Sequence, residues 1–298
     1  MNCLICGSSD IETIDTVVSD FVMARINNKF VTGSNYKTKL CFCKSCSFAY
    51  YDYRLNKAEE YSLYKNYRDE TYQKTREFYE CWYTKKVNEI INFDEVALTE
   101  QQKQIKTMLF NAIDREIKVA LDYGGNEGKS FVAEIGTVKK YVYDISGVKP
   151  VVGVETISNY SALKNCKYDF IMCNMLFEHL SYPLNDMKRL WNIGDSDTLY
   201  YIEVPSENPF IKGNKFSLFK NLKLAFNPNY NFCKLVKYYL KSYHGPFMPM
   251  KEHINFFTEN SLKKMLEVSN FKIIDVCEAN RNGNLGKSSV LSALFKKI

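Results

Sequence analysis

At 298 residues, with 46% hydrophobic and 15% aromatic side chains, the chain is too apolar for a disordered or fibrous sequence and long enough for one large or two smaller domains. Its formal net charge is +6, but the Lys and Arg residues are dispersed, which argues for a lysine-rich surface and against a nucleic-acid groove. No run reaches the ~18 apolar residues of a membrane span, and the first residues, Met1 to Gly7, carry no signal-peptide pattern, so a cytoplasmic protein is expected.

The first region runs to about residue 55 (1–55). Of the 10 cysteines, five lie in it: Cys3, Cys6, Cys41, Cys43 and Cys46. In a reducing compartment such clustering points to metal more than to disulfides. Cys3-x-x-Cys6 and Cys43-x-x-Cys46 are paired knuckles, and four thiolates close a tetrahedral zinc with no open position, as in a structural site. Cys41 is an alternative to Cys43; the repeated two-residue gap favours Cys43. The stretch from Ile11 to Asn35 reads as short strands and turns.

The second region, 56–114, contains neither Gly nor Pro and is rich in Glu, Lys, Gln and Tyr, so it reads as helical. Phe78, Trp82, Tyr83, Val87, Ile90 and Ile91 recur at helical spacing.

The third region, 115–298, alternates strands with helices. Its candidate strands are Ile117 to Asp122, Lys140 to Tyr143, Tyr168 to Cys173, Thr198 to Val204, Phe271 to Cys277 and Ser289 to Phe295. Leu184 to Trp191 and Asn260 to Ser269 read as helices, and Asn282-Gly283-Asn284 as a closing hairpin. Such alternation implies an α/β fold with a doubly wound parallel sheet. An insertion at about 206–252, rich in Phe, Tyr, Lys and Asn, is too long for an ordinary connection. It suits a substrate cover or a structural elaboration.

The chemistry centres on Val119 to Ser130. An apolar run ends in Asp122 and turns through Gly124, Gly125 and Gly128. Glycine serves where a backbone takes positive φ or a ligand comes close, and a strand–glycine turn–helix unit forms a nucleotide-cofactor crevice. The turn alone suits NAD, a phosphate or S-adenosylmethionine. Asp122-x-Gly124-x-x-x-Gly128 departs from G-x-G-x-x-G, and its leading carboxylate can meet the ammonium group of S-adenosylmethionine. Asp144 ends the next strand, where an acid accepts ribose hydroxyls; a helix N-cap is the plainer reading.

With those residues and with Phe177-Glu178-His179-Leu180, Tyr201-Ile202-Glu203-Val204-Pro205 and Glu252-His253-Ile254-Asn255-Phe256-Phe257, the chain resembles class I S-adenosylmethionine-dependent methyltransferases. The resemblance is to a bacterial subgroup with an N-terminal zinc-binding domain, active in polysaccharide and sugar biosynthesis. It implies a seven-stranded Rossmann-like methyltransferase sheet, a small zinc-binding domain and a helical lid. It also implies cofactor contacts from Asp122, Gly124, Gly125, Asn126, Gly128, Asp144, Ile145 and Asn174, and catalysis by His179 with the Glu252–His253 pair. The implied acceptor is a small sugar-type molecule, such as a nucleotide-linked sugar or a capsule or O-antigen precursor, rather than nucleic acid. Asn126 stands where many members have glycine, and Met250 where sugar-modifying members use a tyrosine. Tyr61, Tyr64 and Tyr67 are candidates to reach the substrate, and His244 reads as a turn residue. His179 has a plainer reading too, as a helix cap or the partner of a backbone carbonyl. Glu203 either orders the active-site floor or faces solvent. A zinc-containing RNA methyltransferase is the alternative function. The sequence leaves open the acceptor atom and the oligomeric state.

Overall fold

A computed structural model describes residues 1–31, 33, 36–113, 115–207, 209–210 and 249–298. Most of the expected insertion, together with His244, lies outside the described residues.

The N-terminal part contains β1 (Ile11–Val17), α1 (Asp20–Asn27), β2 (Lys37–Cys43) and β3 (Ala49–Tyr51). Helix α1 corrects the expectation of strands and turns there. Ser19 caps it by accepting from the Val22 amide, and Phe21, Val22, Met23 and Ala24 are buried. Ser19-Asp20 was the local start signal, and such a cap contributes about 1 kcal/mol. The next stretch is helical, with α2 (Lys57–Tyr64), α3 (Glu70–Tyr79), α4 (Lys85–Asn92) and α5 (Glu95–Ala112). Asn56, Asp69, Thr84 and Asp94 cap these helices in turn, each side chain accepting from a first-turn amide.

From residue 115 the chain builds β4 (Val119–Tyr123), β5 (Lys139–Tyr143), β6 (Glu155–Thr156), α6 (Tyr160–Leu163), β7 (Phe170–Asn174), α7 (Pro183–Ile193) and β8 (Leu199–Pro205). It closes with β9 (Asn255–Phe256), α8 (Glu259–Val268), β10 (Phe271–Gly283) and β11 (Gly286–Lys297). The order β6-β5-β4-β7-β8-β11-β10 forms one seven-stranded sheet. The strands β4 to β8 pair in parallel, whereas β11 runs antiparallel to both β8 and β10. The sequence pattern missed β6, two exposed residues with no apolar signature. It also cut the terminal hairpin short, because pairing carries polar residues such as Asn280, Asn282 and Ser288 into the strands.

Alternation along β4 and β7 sorts side chains to the two sheet faces. Ala120, Phe170 and Met172 pack with Ile105, Met108 and Leu109 of α5 on one side. Leu121, Ile171 and Cys173 share the other side's core with Met187 and Leu190 of α7 and Leu262 and Met265 of α8. Full burial of each such large side chain contributes ~1.5–3 kcal/mol.

A second sheet, β1-β2-β3-β9, joins the N-terminal strands to a strand from far along the chain. Arg54 fastens the junction: Nε donates to Tyr51 O at 2.9 Å, and the guanidinium donates to Asn255 Oδ1 at 2.8 Å and Ile254 O at 3.0 Å.

Candidate functional site

Strand β4 delivers the chain into the glycine turn at the carboxyl edge of the sheet. Gly124 holds φ at +79°, and a β-carbon there would lie 2.7 Å from Leu176. Asn126 takes φ of +51°, a conformation asparagine tolerates better than most residues. The turn is pinned to the next strand by Asp144. Its carboxylate accepts from the Asn126 amide at 2.9 Å and from the Ser146 amide at 2.7 Å. The N-cap reading of Asp144 therefore gives way to a brace between two loops.

A cavity of about 450 Å³ opens over this turn. Gly124, Gly125, Asn126, Asp144, Ile145 and Asn174 line one half, and His179, Glu252 and His253 line the other. Asp122 and Gly128 are not on the wall. Gly128 packs beside Val154 and Phe131. Asp122 is fully buried, and neither carboxylate oxygen has a partner in strict hydrogen-bond geometry among the described residues. Burial, then the charge of Asp144, pushes Asp122 up to about 8, and Asn174 offsets this only in part. Both amide atoms of Asn174 are likewise buried, close to Asp122 but outside strict hydrogen-bond geometry with any described residue.

In the second half, His179 Nδ1 lies 3.0 Å from the Glu252 carbonyl and 3.1 Å from the Tyr64 hydroxyl. A carbonyl only accepts, so Nδ1 carries the proton and Nε2 keeps its lone pair. The backbone-partner reading of His179 is met on one ring edge, while the other edge is left for chemistry. Burial, and then the charge of His253, holds His179 well below the usual imidazole range. The ring of His253 stands 4.9 Å from that of His179, edge to face. Burial opposes charge on His253, but Glu207, 3.4 Å from Nδ1, leads the carboxylates that raise its pKa.

The Glu252 carboxylate turns away from His253. It accepts from the Tyr72 hydroxyl and pairs with Arg76 at 2.5 Å, and Arg76 also pairs with Glu80 at 2.9 Å. Tyr64 and Tyr67 line the cavity, whereas Tyr61 is exposed and does not. Glu203 is fully buried and paired with Arg281 at 2.5 Å, so it does not face solvent. Gln101 donates to Glu203 and accepts from Ser130 on the cavity wall, so Glu203 braces the floor.

Sequence reasoning assigned no role to Arg68, Arg76, Tyr83 or Glu178, all of which line the cavity. Arg68 is a cation whose Nε is buried without a partner, and no carboxylate among the described residues pairs with it. Its guanidinium lies 4.6 Å from the Tyr67 ring centre. Glu252 and the surrounding tyrosines favour its charge from a distance, and only tertiary structure reveals that no carboxylate among the described residues pairs with it directly.

The second candidate site is the N-terminal sulfur cluster. Cys3, Cys6, Cys43 and Cys46 place their sulfurs within 4.8 Å of one another. The Cys3–Cys46 and Cys6–Cys43 separations are 3.6 and 3.5 Å, close to the ~3.8 Å between thiolates of a tetrahedral zinc with ~2.3 Å bonds. Cys41 points elsewhere, its sulfur 3.3 Å from Met1 Sδ, so Cys43 is the fourth member. The donor set fits a metal ion.

A seven-stranded sheet of this order, with a glycine turn and an acid on the neighbouring strand at its carboxyl edge, defines a methyltransferase. The methyltransferase-domain family matches residues 76–276, two thirds of the chain, and the protein belongs to that family. It is an S-adenosylmethionine-dependent methyltransferase.

Among solved structures, the chain is similar to 1,6-didemethyltoxoflavin-N1-methyltransferase of Burkholderia thailandensis, bound to 1,6-didemethyltoxoflavin and S-adenosylhomocysteine. Identity is 14%, coverage is 90% of this chain and 97% of that one, and the TM-score is 0.47. It is also similar to a SAM-dependent methyltransferase of Anabaena variabilis, at 11% identity, 73% and 92% coverage and a TM-score of 0.44. Against LepI in complex with SAM, identity is 8% and the TM-score 0.39, with 65% of this chain covering 46% of that chain. None of the curated proteins matches. No helix among the described residues is long and apolar enough to cross a membrane.

The first half of the cavity fits the cofactor. Gly124 and Gly125 bring bare backbone to the cavity wall, and Asn126, Asp144, Ile145 and Asn174 line the same part of it.

Proposed function

We propose that the enzyme methylates a small sugar-type acceptor, a nucleotide-linked sugar or a precursor of a capsule or O-antigen polysaccharide, in the cytoplasm. The observation that carries this reading is Arg68 on the acceptor side of the cavity, a cation with no directly paired carboxylate among the described residues. A guanidinium without a carboxylate suits the phosphate or carboxylate of such a molecule, because its fork binds two oxygens at once. Tyr64, Tyr67 and Tyr83 beside it supply ring faces and hydroxyls for a polar ring.

S-adenosylmethionine, when bound, supplies a methyl group already activated on a sulfonium. Gly124, Gly125, Asn126, Ile145 and Asn174 would hold it, with Asp144 facing its ribose. Asp122 and Gly128 support that turn from behind. The protein's remaining task is to align the acceptor and handle its proton in a dry pocket. His179 and His253 activate the acceptor: His179 is uncharged with a free Nε2, and His253 stands beside it. Glu252 positions His179 through its carbonyl and anchors that wall through Arg76 and Tyr72. The sulfur cluster holds one structural zinc, and the regions 1–55, 56–114 and 115–298 act as zinc-binding, lid and cofactor-binding parts.

The test is methyl transfer from labelled S-adenosylmethionine to a panel of nucleotide sugars, free sugars, sugar phosphates and bulk RNA. Labelled product from a phosphorylated sugar is expected. Transfer only to uncharged small molecules or only to RNA overturns the reading.

A further inference from the structure

Glu178, His179 and His253 lie together on the acceptor wall, and one ligand atom from each falls within 4.8 Å of the others. Glu178 is 1% exposed, and its Oε2 has no hydrogen-bond partner among the described residues. Its other oxygen lies 3.8 Å from His179 Nε2, beyond hydrogen-bonding range. A buried carboxylate oxygen without a donor is costly unless a cation satisfies it or the group takes up a proton.

The histidines are oriented in a particular way. His179 turns Nδ1 to the Glu252 carbonyl, and His253 turns Nδ1 to the Glu207 carboxylate. An acceptor on one ring nitrogen fixes the tautomer and presents the other nitrogen to a metal. Both rings are thus arranged to offer Nε2. Two imidazoles and one carboxylate on one side of an open cavity make a donor set for a borderline divalent cation, with positions left for outside oxygens. The closed sulfur cluster offers no such positions.

We infer that Glu178, His179 and His253 form a binding site for a divalent transition-metal ion, on which an acceptor oxygen docks beside the cofactor crevice. This rests on the reading that the second half of the cavity receives the acceptor, and it names the means by which the two histidines activate it. A metal-bound hydroxyl is more acidic than a free one, which eases loss of its proton before transfer. An acceptor able to present oxygens to the ion is favoured over one with only nitrogen or carbon at that point.

The test uses the protein with its sulfur cluster loaded with zinc, and Mn²⁺ as the probe, because manganese favours oxygen donors such as Glu178 over thiolate and so leaves the sulfur cluster alone. Free Mn²⁺ is followed by electron paramagnetic resonance. About one Mn²⁺ bound per chain is expected, with Glu178→Gln and His253→Ala each weakening it at least about tenfold. In the wild-type protein, Mn²⁺ broadens the imidazole proton resonances of both His179 and His253, a readout that needs no variant to fold. Undiminished free Mn²⁺, equal affinity in correctly folded variants, or sharp histidine resonances each overturn the site. His253 would then be the charge that balances Glu178. Binding is measured without acceptor, so this outcome leaves the sugar reading standing. Conversely, Mn²⁺ bound as expected by an enzyme that methylates only RNA would overturn the sugar reading alone.

Discussion

The carboxylate carbon of Asp122 lies 2.1 Å from the point where a β-carbon on Gly125 would stand. Glycine at 125 is therefore a steric requirement of the acid below it, separate from any need for positive φ. In Gly125→Ala, either the turn or Asp122 must move. Overpacking of this kind costs about 1–3 kcal/mol. The expected result is a melting temperature lower by a few degrees and an affinity for S-adenosylmethionine reduced at least about tenfold, measured by calorimetry. Unchanged affinity would show that the turn does not shape the cofactor pocket.

Burial raises Asp122 from the ordinary aspartate value of 3.8 to about 8. The folded protein thus keeps a proton that the unfolded chain releases near pH 4. The stabilisation is complete below that unfolded value and is lost as pH rises towards 8, at a slope approaching ~1.4 kcal/mol per pH unit. Asp122→Asn abolishes the titration without changing shape. Urea unfolding of ligand-free protein between pH 5 and 8.5 should therefore give a flatter stability profile for the variant than for the wild type. Parallel profiles would mean that Asp122 is ionised throughout.

Asp144 accepts two backbone amides that join the glycine turn to the following loop. Hydrogen bonds to a charged acceptor are worth ~1.5–3 kcal/mol each. Asp144→Ala should weaken S-adenosylmethionine binding ten- to a hundredfold or so, with Asp144→Asn retaining part of the affinity. Wild-type binding by the alanine variant, again by calorimetry, would remove Asp144 from the site.

Arg68→Gln should raise KM for an acceptor bearing phosphate or carboxylate by about tenfold or more, as expected for loss of a charge-assisted pair. The dissociation constant of S-adenosylmethionine should stay within about twofold, because Arg68 stands in the other half of the cavity. Initial-rate kinetics separate the two, and an unchanged KM would dismiss Arg68 as the anion site.

The sulfur cluster should carry about one zinc per chain, and its removal should melt the N-terminal sheet, because folding and binding are coupled in such sites. Elemental analysis and circular dichroism with a strong chelator check this. Metal-free protein that melts like the untreated sample would contradict it.

The doubly wound sheet was legible because β4, β7 and β8 are buried apolar runs separated by helices and turns. The glycine turn and Asp144 were legible because crevice chemistry demands those residue types at those positions. Helix α1 was overlooked because its β-branched and aromatic residues masked a clear Ser19 cap. Arg68 and Glu178 received no role from the sequence for a different reason. What marks each is a missing partner, and a partner is a property of three-dimensional neighbours that no local spacing records. The direction of Glu252 was unreadable likewise, since its partners Tyr72 and Arg76 lie some 180 residues earlier.

Strand β9 completes the small sheet from a point more than two hundred residues downstream of β3, and His253 lies just before it. The amino-terminal module is thus discontinuous in sequence. A chimera that exchanged only its first fifty-five residues for those of a relative would leave β9 facing a foreign edge and Arg54 replaced at the seam. Recombination of such enzymes to alter acceptor choice therefore has to carry residues 250–257 along with the cysteine knuckles, as a single inherited block.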